Sequence, residues 1–506
     1  MSQSVFVNGG FSNTDKVPGA YGEVAPATGA ISASSIPLKV LLVGLKTSDG
    51  SAVVEQDILP IYSLNDSIVA YGARSQITNM AKAALNSGQP VLLYAVACTE
   101  AGTVAAQVTV TFTVGSAWTA PIQYTATIDG QDISFSIPVG ATVTQIAASF
   151  ASAINAFPQL PVVATSATGV TTIKAANLGT SGNTYIYFED KTLATGLTTA
   201  IAGGTVLPGG GVPFSGGTGT ESVANVQALI YTQQYDRIAI GQVDATNIAL
   251  WITQLNAQAM PTDNHRQQVV VGFNGTYAAA TTLATTNLNN SRFQLVEYQN
   301  CESPPWEIAA AMAATRCGFE QNDPDASFDG MILKGIRGQR AKADIPSHPQ
   351  QVALLNNGVT PVTTDLNGNA VVVRAITSRS LNGTIPDYRL LDTSQQTVPD
   401  FVLTDLMLLW TTEYLPANPR VQNDPPNANV LPAGVATPLG WQRKVNGYLQ
   451  TKASQPQPIV VAPSPSTQPS ATWNTVANCI QLVCPVVPSP NQHQVLISVR
   501  PTAYIP

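Results

Sequence analysis

Apolar residues follow two alternating periods along much of the chain, one typical of buried strands and one typical of amphipathic helices. Five apolar runs are predicted as buried strands, at residues 38–44, 91–97, 237–241, 268–272 and 293–298. Helical spacing lies between these runs, at residues 66–85, 221–231, 245–260, 277–288 and 306–316. Strands that alternate with helices predict an α/β fold with a mainly parallel, doubly wound core sheet.

Residues 101–219 interrupt this rhythm with a β-rich composition of Thr, Ala, Val and Gly. Apolar residues alternate on either side of Asp129-Gly130, which is the turn signal of a β-hairpin. A helix follows in the pattern, with Ile146, Phe150 and Ile154 at helical spacing. Glycine-rich stretches close the segment and suit a domain boundary, so we expect an inserted β-rich outer domain, called the insertion below.

The last third of the chain is predicted as an α+β domain. The pattern there predicts a hairpin at Asn367-Gly368, helices at residues 400–414 and 439–450, and a Pro-rich link at 456–469. The expected domains are an N-terminal arm at 1–30, a discontinuous α/β core at 31–100 and 220–350, the insertion at 101–219, a C-terminal domain at 351–490 and a C-terminal strand arm at 491–506.

Both ends of the sequence carry short β-prone segments. We expect extended arms that pair with neighbouring copies, because a strand can add its main-chain hydrogen bonds to an open sheet edge. The candidate residues for this pairing are Val5, Phe6, Val7, Val495, Leu496, Ile497, Ser498 and Val499. Each segment equally fits an edge strand of its own domain, and the pattern alone leaves that alternative open.

Charge is scarce, since only 10% of the residues are charged against about 25% in average soluble domains. Surfaces with few charges lose little hydration when they are buried, which lowers the cost of extensive contact between subunits. A secreted protein with a polar, uncharged coat fits this composition equally well. The net charge of −7 offers no basic footprint for nucleic acid. The strongest basic stretch, residues 334–342, is interpreted as a solvated loop or a subunit contact.

No cluster of residues predicts catalysis, a cofactor or a metal. The three histidines, His265, His348 and His493, lie far apart, and zinc-helix and nucleophile-elbow motifs are absent. The glycines at 209–211 lack the lysine of a phosphate loop, so a linker is favoured. The calcium-like start at Asp365 lacks its glycine and glutamate, and acidic residues at 323–329 fit a turn.

Five scattered cysteines fit a reducing compartment better than a disulfide framework. The first residues lack the basic and apolar regions of a secretory signal, and no apolar run approaches the length of a membrane span. We therefore expect synthesis in the cytoplasm and no membrane insertion.

Several motifs, in their order along the chain, resemble the contractile phage tail sheath family, and closely its Mu-like branch. The resemblance covers about residues 15–100 and 220–505. Its motifs are VPGAYGE at 17–23, VLLVG at 40–44, YGARSQ at 71–76, YDRI at 235–238, SRFQLVE at 291–297, PPWE at 304–307, NNGVTP at 356–361 and VVVRAIT at 371–377.

The resemblance implies a non-enzymatic structural subunit. Such a subunit polymerises helically around a tail tube by strand exchange, contracts without consuming nucleotide and belongs to the virion tail. Its implied partners are further copies of itself, the tail tube protein, and baseplate and tail terminator proteins, with no direct contact to nucleic acid. Two alternatives stay open: the sheath of a phage-derived bacteriocin or related injection machine, and a hydrolase or nucleotide-binding enzyme on the same α/β sheet.

Overall fold

The computed structural model describes residues 28–29, 37–116, 118–189, 196–417, 420–424, 435–491 and 493. Its strands, in chain order, are β1 Thr28–Gly29, β2 Lys39–Gly44, β3 Leu59–Pro60, β4 Leu92–Ala97, β5 Gln107–Val114, β6 Ile122–Ile128, β7 Gln131–Ile137, β8 Val162–Ala167, β9 Val170–Ala175, β10 Ile186–Glu189, β11 Leu197–Ala202, β12 Val212–Pro213, β13 Arg237–Ile240, β14 Gln268–Phe273, β15 Phe293–Glu297, β16 Ile332–Arg337, β17 Val359–Thr364, β18 Asn369–Val372, β19 Leu381–Asn382, β20 Ile385–Pro386, β21 Arg420–Val421, β22 Val435–Ala436, β23 Ser470–Asn474, β24 Cys479–Val483 and β25 Val486–Val487.

The α-helices, in chain order, are α1 Leu64–Tyr71, α2 Gln76–Asn86, α3 Val143–Asn155, α4 Ala224–Ile230, α5 Ala245–Gln258, α6 Tyr277–Leu283, α7 Pro305–Glu320, α8 His348–Asn356, α9 Thr393–Leu409, α10 Leu415–Ala417 and α11 Pro438–Ala453. Short 3-10 turns lie at Thr180–Thr184 and Lys342–Asp344, and π-helical turns at Ala284–Leu288 and Trp410–Tyr414.

A nine-stranded sheet forms the centre of the molecule, with strand order β16-β18-β17-β15-β14-β13-β2-β4-β3. Neighbours from β17 to β4 pair in parallel, whereas β3, β18 and β16 pair antiparallel at the two edges. All five predicted strands lie in the parallel part. The predicted α/β class is therefore confirmed.

Side chains of the parallel strands alternate between two hydrophobic cores. Leu42 and Val270 belong to one core together with residues of α2 and α7, such as Met80 and Met312. Their chain neighbours Leu41, Val43, Val269 and Val271 belong to the other core, with residues of α4, α5 and α6 such as Trp251. A strand exposes successive side chains to opposite faces, so this alternation shows that helices cover both faces of the sheet.

The prediction of one helix at residues 66–85 is wrong in one respect, because the structure has two helices there, α1 and α2. Gly72 separates them with φ of 93°, and a Cβ atom there would lie 2.0 Å from Thr47 Oγ1. Only glycine suits this backbone and this close approach. Ser75 then caps α2 by accepting a hydrogen bond from the Thr78 amide at 3.0 Å.

The hairpin predicted around Asp129-Gly130 is confirmed. β6 and β7 pair antiparallel down to Ile128 and Gln131, and the two turn residues have φ of 52° and 66°. This two-residue turn matches the right-handed twist of the strands. Within the insertion, β6 and β7 lie in one four-stranded sheet and β5, β8, β9 and β11 in a second.

The helix predicted at residues 400–414 begins earlier, because α9 starts at Thr393. Asp392 and Gln395 form a capping box at its start, and Pro399 lies inside the helix. The predicted start at residue 400 therefore lies one residue after this proline, which lacks the amide that an interior turn needs. Beyond Leu409 the helix continues as the π-helical turn, so the predicted end is close to the observed one.

A buried ion network joins α7 to the amino ends of the parallel strands. The carboxylate of Glu320 accepts hydrogen bonds from Arg237 and, at 2.9 Å, from Arg316 Nε. All three side chains are at most 4% exposed. Burial by itself raises the pKa of the Glu320 carboxyl, but the two guanidinium groups hold it below its ordinary value. Glu320 is therefore ionised in the folded protein at neutral pH.

The network extends through neutral side chains to α9. Arg316 donates to Gln294 on β15 at 3.0 Å and to Gln268 on β14 at 2.8 Å. Thr397 on α9 accepts a hydrogen bond from Arg237 at 3.0 Å. Next to it, Arg292 binds Asp400 of α9 through two hydrogen bonds of 2.9 and 3.0 Å. These contacts fix α9 against the sheet.

Replacing Glu320 with Gln is expected to destabilise the fold by about 3–5 kcal/mol, because two buried guanidinium groups then lack their shared carboxylate. Denaturant unfolding followed by circular dichroism measures the change. The matched control is Glu413→Gln, whose partner Lys444 lies 2.7 Å away with both side chains at least 43% exposed. This control should cost at most about 1 kcal/mol. Equal effects of the two variants would contradict a structural role for the network.

Candidate assembly site where the two ends of the chain meet

The two ends of the described chain meet in one short parallel sheet. Thr28 pairs with Val486, and Gly29 pairs with Val487. Strands β1 and β25 are separated by more than four hundred and fifty residues in sequence, so only the tertiary fold brings them together. The segments that precede β1 and follow β25 therefore start from the same region of the molecule.

Residues after β25 run across the surface from the C-terminal α+β part to the core. The amide of Val461 donates to the Val487 carbonyl, and the amide of Ser489 donates to the Ile459 carbonyl, both at 3.1 Å. Asn491 Nδ2 then donates to the backbone carbonyl of Asp325 at 3.1 Å. His493 follows, with its Nδ1 atom 2.5 Å from the carboxylate of Asp329. These contacts hold the chain on its own subunit, and Asn491 and His493 are the described residues of the C-terminal arm predicted at 491–506.

Strands β23 and β24 form a two-stranded antiparallel ribbon just before β25. Ala471, Ile480 and Leu482 pack against a third hydrophobic core, built on α9 and α11. Among the described residues, each ribbon strand has a strand partner on one side only. The ten residues of the ribbon include no charged side chain and no proline. Such an edge can accept a further strand.

Three other sheet edges carry features that block strand addition. At one edge of the large sheet, β3 has only two residues, one of them Pro60. At the opposite edge, β16 carries Lys334 and Arg337 and pairs with a register shift. On β8 of the insertion, the side chain of Asn155 binds both the amide and the carbonyl of Ala164, at 3.0 and 2.8 Å. The ribbon lacks these protections.

The residues predicted to pair between copies lie outside the described part of the chain. Val5, Phe6, Val7, Val495, Leu496, Ile497, Ser498 and Val499 all belong to this group, so their pairing stays a prediction. Sequence reasoning missed the ribbon next to them. The signal that could have found it is the alternation at Ala471 and Trp473, then at Ile480 and Leu482, on either side of a turn ending in Asn478.

The carboxyl ends of β2 and β13 are where an α/β enzyme of this strand order binds its ligand, because the chain reverses direction across the sheet there. Here that position is filled by protein. Gln76 at the start of α2 accepts from the Leu45 amide at 2.8 Å, and Asn177 of the insertion accepts from the Gln76 amide at 3.2 Å. A Cβ atom on Gly241 would lie 3.2 Å from Trp306.

The insertion also covers the carboxyl ends of β2 and β13. Its Tyr185 packs edge to face on Trp306, with ring centroids 5.4 Å apart, and both side chains are buried. Asn177 also donates to the Lys46 carbonyl at 2.9 Å. The position of a nucleotide in related α/β folds is therefore part of a packed contact between the insertion and the core.

The basic stretch at residues 334–342, interpreted above as a solvated loop or a subunit contact, begins within β16, and its four basic side chains are exposed. Its two arginines bind the β6–β7 hairpin within the same chain. Arg337 lies 3.3 Å from Asp132, and Arg340 binds Glu302 and donates to Thr127 at 2.6 Å. The cationic side chains therefore clamp the hairpin to the core.

The tip of this hairpin is buried beside a pair of carboxyl groups. Asp129 hydrogen-bonds Glu307 of α7, and Lys82 of α2 lies close enough to lower the pKa of both. Burial dominates nonetheless: it raises the pKa of Asp129 to about 7, and together with the Asp129 charge it raises that of Glu307 well above its ordinary range. The pair lines a cavity of about 80 Å³.

Metal and membrane sites find no support in the described residues. No group of three or more His, Cys, Asp and Glu side chains there is arranged to hold a metal ion. Within the same ranges no helix has the length and apolar character needed to cross a bilayer. The calcium-like start at Asp365 is a hairpin turn, in which this carboxylate accepts from the Asn367 and Asn369 amides, both at 2.8 Å.

No protein-family model matches this chain, and no curated protein matches it. Solved structures with a similar fold include the sheath tail protein from Desulfitobacterium hafniense, 12% identical over 87% of this chain and 91% of that chain, with a TM-score of 0.47. The sheath tail protein from Listeria innocua is 12% identical over 90% and 93% of the two chains, with a TM-score of 0.46.

A third similar structure is the helical sheath of the anti-feeding prophage in its contracted state. It is 9% identical over 96% of this chain and 99% of that chain, with a TM-score of 0.42. All three similar structures are sheath proteins of tails or prophages. At identities and TM-scores this low, the likeness does not by itself assign a function to this chain.

The Asp129–Glu307 pair predicts that stability falls as pH rises. Burial raises the folded-state pKa of Asp129 from 3.8 to about 7. Between about pH 4 and pH 7 the folded protein therefore keeps a proton that the unfolded chain releases, and the free energy of unfolding falls over this range. Replacing Asp129 with Asn keeps a residue that tolerates positive φ and removes one titrating group. Between pH 5 and pH 8, the fall in the free energy of unfolding should be smaller by about 2–3 kcal/mol in this variant than in the parent chain, as measured by thermal unfolding.

The exposed carboxylate of Glu413 supplies the control for this titration. Its side chain is 49% exposed, so Glu413→Gln should leave the pH dependence of unfolding as in the parent protein. An Asp129→Asn variant with the same pH slope as the parent would show that the pair does not titrate in this range.

Proposed function

We propose that this chain is a structural subunit of a contractile tail sheath, which polymerises helically around a tail tube and contracts to drive that tube through the host envelope. The observation that carries this proposal is the open, uncharged ribbon β23–β24 beside the paired strands β1 and β25. A subunit with a strand acceptor next to the origins of both terminal segments is suited to linking many copies.

Strand exchange is the physical mechanism of this assembly. Each main-chain hydrogen bond formed with the ribbon contributes about 0.5–1.5 kcal/mol, and a strand of five residues forms several of them. Residues 494–506 would span at most about 45 Å if extended. The proposed donors are Val5, Phe6 and Val7 at one end and residues 495–499 at the other.

Contraction requires each subunit to move as a nearly rigid body while its links persist. The buried contacts of Glu320 and Asp400 support such rigidity, because they tie α7, α9 and the central sheet together. The clamp of Arg340 on the insertion adds to it. A surface with few charges favours dense packing in both the extended and the contracted arrangement.

The proposal includes the domain boundaries and partners expected from the sequence. The insertion at 101–219 faces outward, and the arms at 1–30 and 491–506 link neighbouring copies. The partners are the tail tube protein and the baseplate and tail terminator proteins, and the location is the virion tail after synthesis in the host cytoplasm. The motifs quoted above favour the Mu-like branch. A bacteriocin-type injection machine would use the same subunit architecture.

An enzyme on the same α/β sheet is the remaining alternative function. The contacts of Gln76, Asn177 and Trp306 at the carboxyl ends of β2 and β13 speak against it, since they fill the position at which such folds bind ligands. No observation on the described residues favours an enzymatic role over the structural one.

Placing a lysine on the outer end of the ribbon should prevent polymerisation without unfolding the subunit. Val483 is 47% exposed in β24, so Val483→Lys adds a charge to the edge that receives the incoming strand. Electron microscopy of the purified protein should show long tubes for the parent chain and few or none for this variant. Circular dichroism should show the same folded content for both.

The matched control places the same lysine at the tip of the ribbon. Val476 is 87% exposed in the turn between the two strands, where no strand is added, so Val476→Lys should form tubes normally. Deleting residues 494–506 should also abolish tubes and leave a folded subunit. Normal tubes from the truncated chain, or from Val483→Lys, would contradict strand exchange at this ribbon.

A further inference from the structure

We propose that Asn382 is a site of spontaneous covalent modification, at which the backbone amide nitrogen of Gly383 attacks the side-chain carbonyl and converts the residue to aspartate or isoaspartate. The inference concerns the chemistry of the chain itself and does not rest on the proposed function. It is carried by the exposure of this pair and by its two reacting groups, which have no hydrogen-bond partner among the described residues.

The pair lies at the tip of the β19–β20 hairpin. Asn382 ends β19 and pairs with Ile385 across the turn, and Gly383 begins that turn with φ of 63°, a conformation that favours glycine. Asn382 and Gly383 are both exposed. A Cβ atom on Gly383 would have no neighbour within 4 Å among the described residues. Water and hydroxide therefore reach the reacting groups from an open side.

The reaction needs only water and base. Base removes the amide proton of Gly383, and the nitrogen lone pair forms a bond to the side-chain carbonyl carbon of Asn382. The bond from that carbon to the side-chain nitrogen breaks, and this nitrogen leaves as ammonia. Water then opens the five-membered succinimide, giving aspartate by attack at the side-chain carbonyl carbon and isoaspartate by attack at the main-chain one. One water is consumed for each ammonia released, and nothing is oxidised or reduced.

Four other asparagines of the described chain also precede a glycine, and two of them have engaged side chains. The four are Asn274, Asn357, Asn367 and Asn446. Asn274 Nδ2 donates to the Thr184 carbonyl at 3.2 Å, and Asn357 Nδ2 donates to the Ala353 carbonyl at 2.7 Å. These hydrogen bonds hold the side-chain amide away from the attacking nitrogen, because the amide must rotate to be attacked.

In the remaining two pairs the glycine amide is engaged. The Gly368 amide donates to the Asp365 carbonyl at 3.1 Å, which closes the turn after Asn367. Gly447 lies in the interior of α11, where each amide donates to the carbonyl four residues earlier. A hydrogen-bonded amide must first be released before its nitrogen can attack. Of the five described pairs, Asn382-Gly383 is therefore the most reactive in the folded chain.

The base of the hairpin is held by polar contacts that the reaction leaves intact. Arg379 binds Asp387 at 2.7 Å, and Arg389 binds the same carboxylate at 2.8 Å. On the other strand, Asn289 Oδ1 accepts from the Leu381 amide at 3.0 Å. The effect of the modification is therefore confined to the tip.

Both products change the character of this tip. Residues 380–386 include no charged side chain, so either product places a negative charge on an uncharged exposed segment. Isoaspartate also adds one carbon atom to the main chain between residues 382 and 383. The two-residue turn then no longer fits the pairing of residue 382 with Ile385. A subunit modified in this way differs from a new one in both charge and local backbone.

Incubation of the purified full-length chain at pH 7 and pH 9, followed by peptide mass spectrometry, tests the proposal. Peptides with Asn382 should gain the mass of an amide-to-acid change first, and isoaspartate should be found among the products. Reaction at Asn367 should be about tenfold slower, because its glycine amide must first lose one hydrogen bond. The rate at Asn382 should be higher at pH 9, since base removes the amide proton. Asn382→Gln should abolish the change there, because the longer side chain disfavours ring closure.

The same chain unfolded in urea is the reference, in which the five pairs lose their structural differences and should react at similar rates. Circular dichroism before and after incubation should show that the untreated chain stays folded. No mass gain at Asn382 in the folded chain would overturn the proposal, and so would faster reaction at any of the other four asparagines. Equal rates at all five pairs in the folded chain would also overturn it, because the hairpin would then confer no reactivity of its own.

Discussion

The carboxylate of Glu320, buried between two arginines at the amino ends of the parallel strands, is the constraint on which the rest of the structure depends. A buried charge is tolerated only when its partners are fixed, so Arg237 and Arg316 are held in place by Gln268, Gln294 and Thr397. Each of these partners comes from a different element. The central sheet, α7 and α9 are thereby locked in one mutual arrangement.

The sequence predicted the elements whose environment is local or uniformly apolar. The five strands predicted from the sequence are continuous apolar runs because helices cover them on both faces, and the Asp129-Gly130 hairpin follows from turn chemistry alone. Helix boundaries were predicted wrongly where they depend on residues that are distant in sequence or on a proline inside the helix. Gly72 divides a helical pattern because Thr47 occupies the space of a side chain, and Pro399 lies within α9 rather than before it.

The ribbon was not predicted from the sequence, for a physical reason. An edge strand is defined by the absence of a neighbour on one side, which depends on the tertiary fold and leaves no local signal in the sequence. Ribbon strands β23 and β24 also depend on the third core beneath them, so their short alternation is weak in isolation. Likewise, the basic stretch and the insertion meet only in the folded chain, where Arg340 reaches Thr127 across more than two hundred residues.

The parallel pairing of β1 with β25 gives the subunit a direction. In a parallel pair both strands run the same way, so the chain enters β1 at the end of the pair where β25 begins, and it leaves β25 at the opposite end. Thr28 and Val487 therefore lie at opposite ends of this pair. A subunit that donates a strand on one surface and accepts a strand on another, as proposed above, would make head-to-tail contacts of the kind that extend into rings or helices.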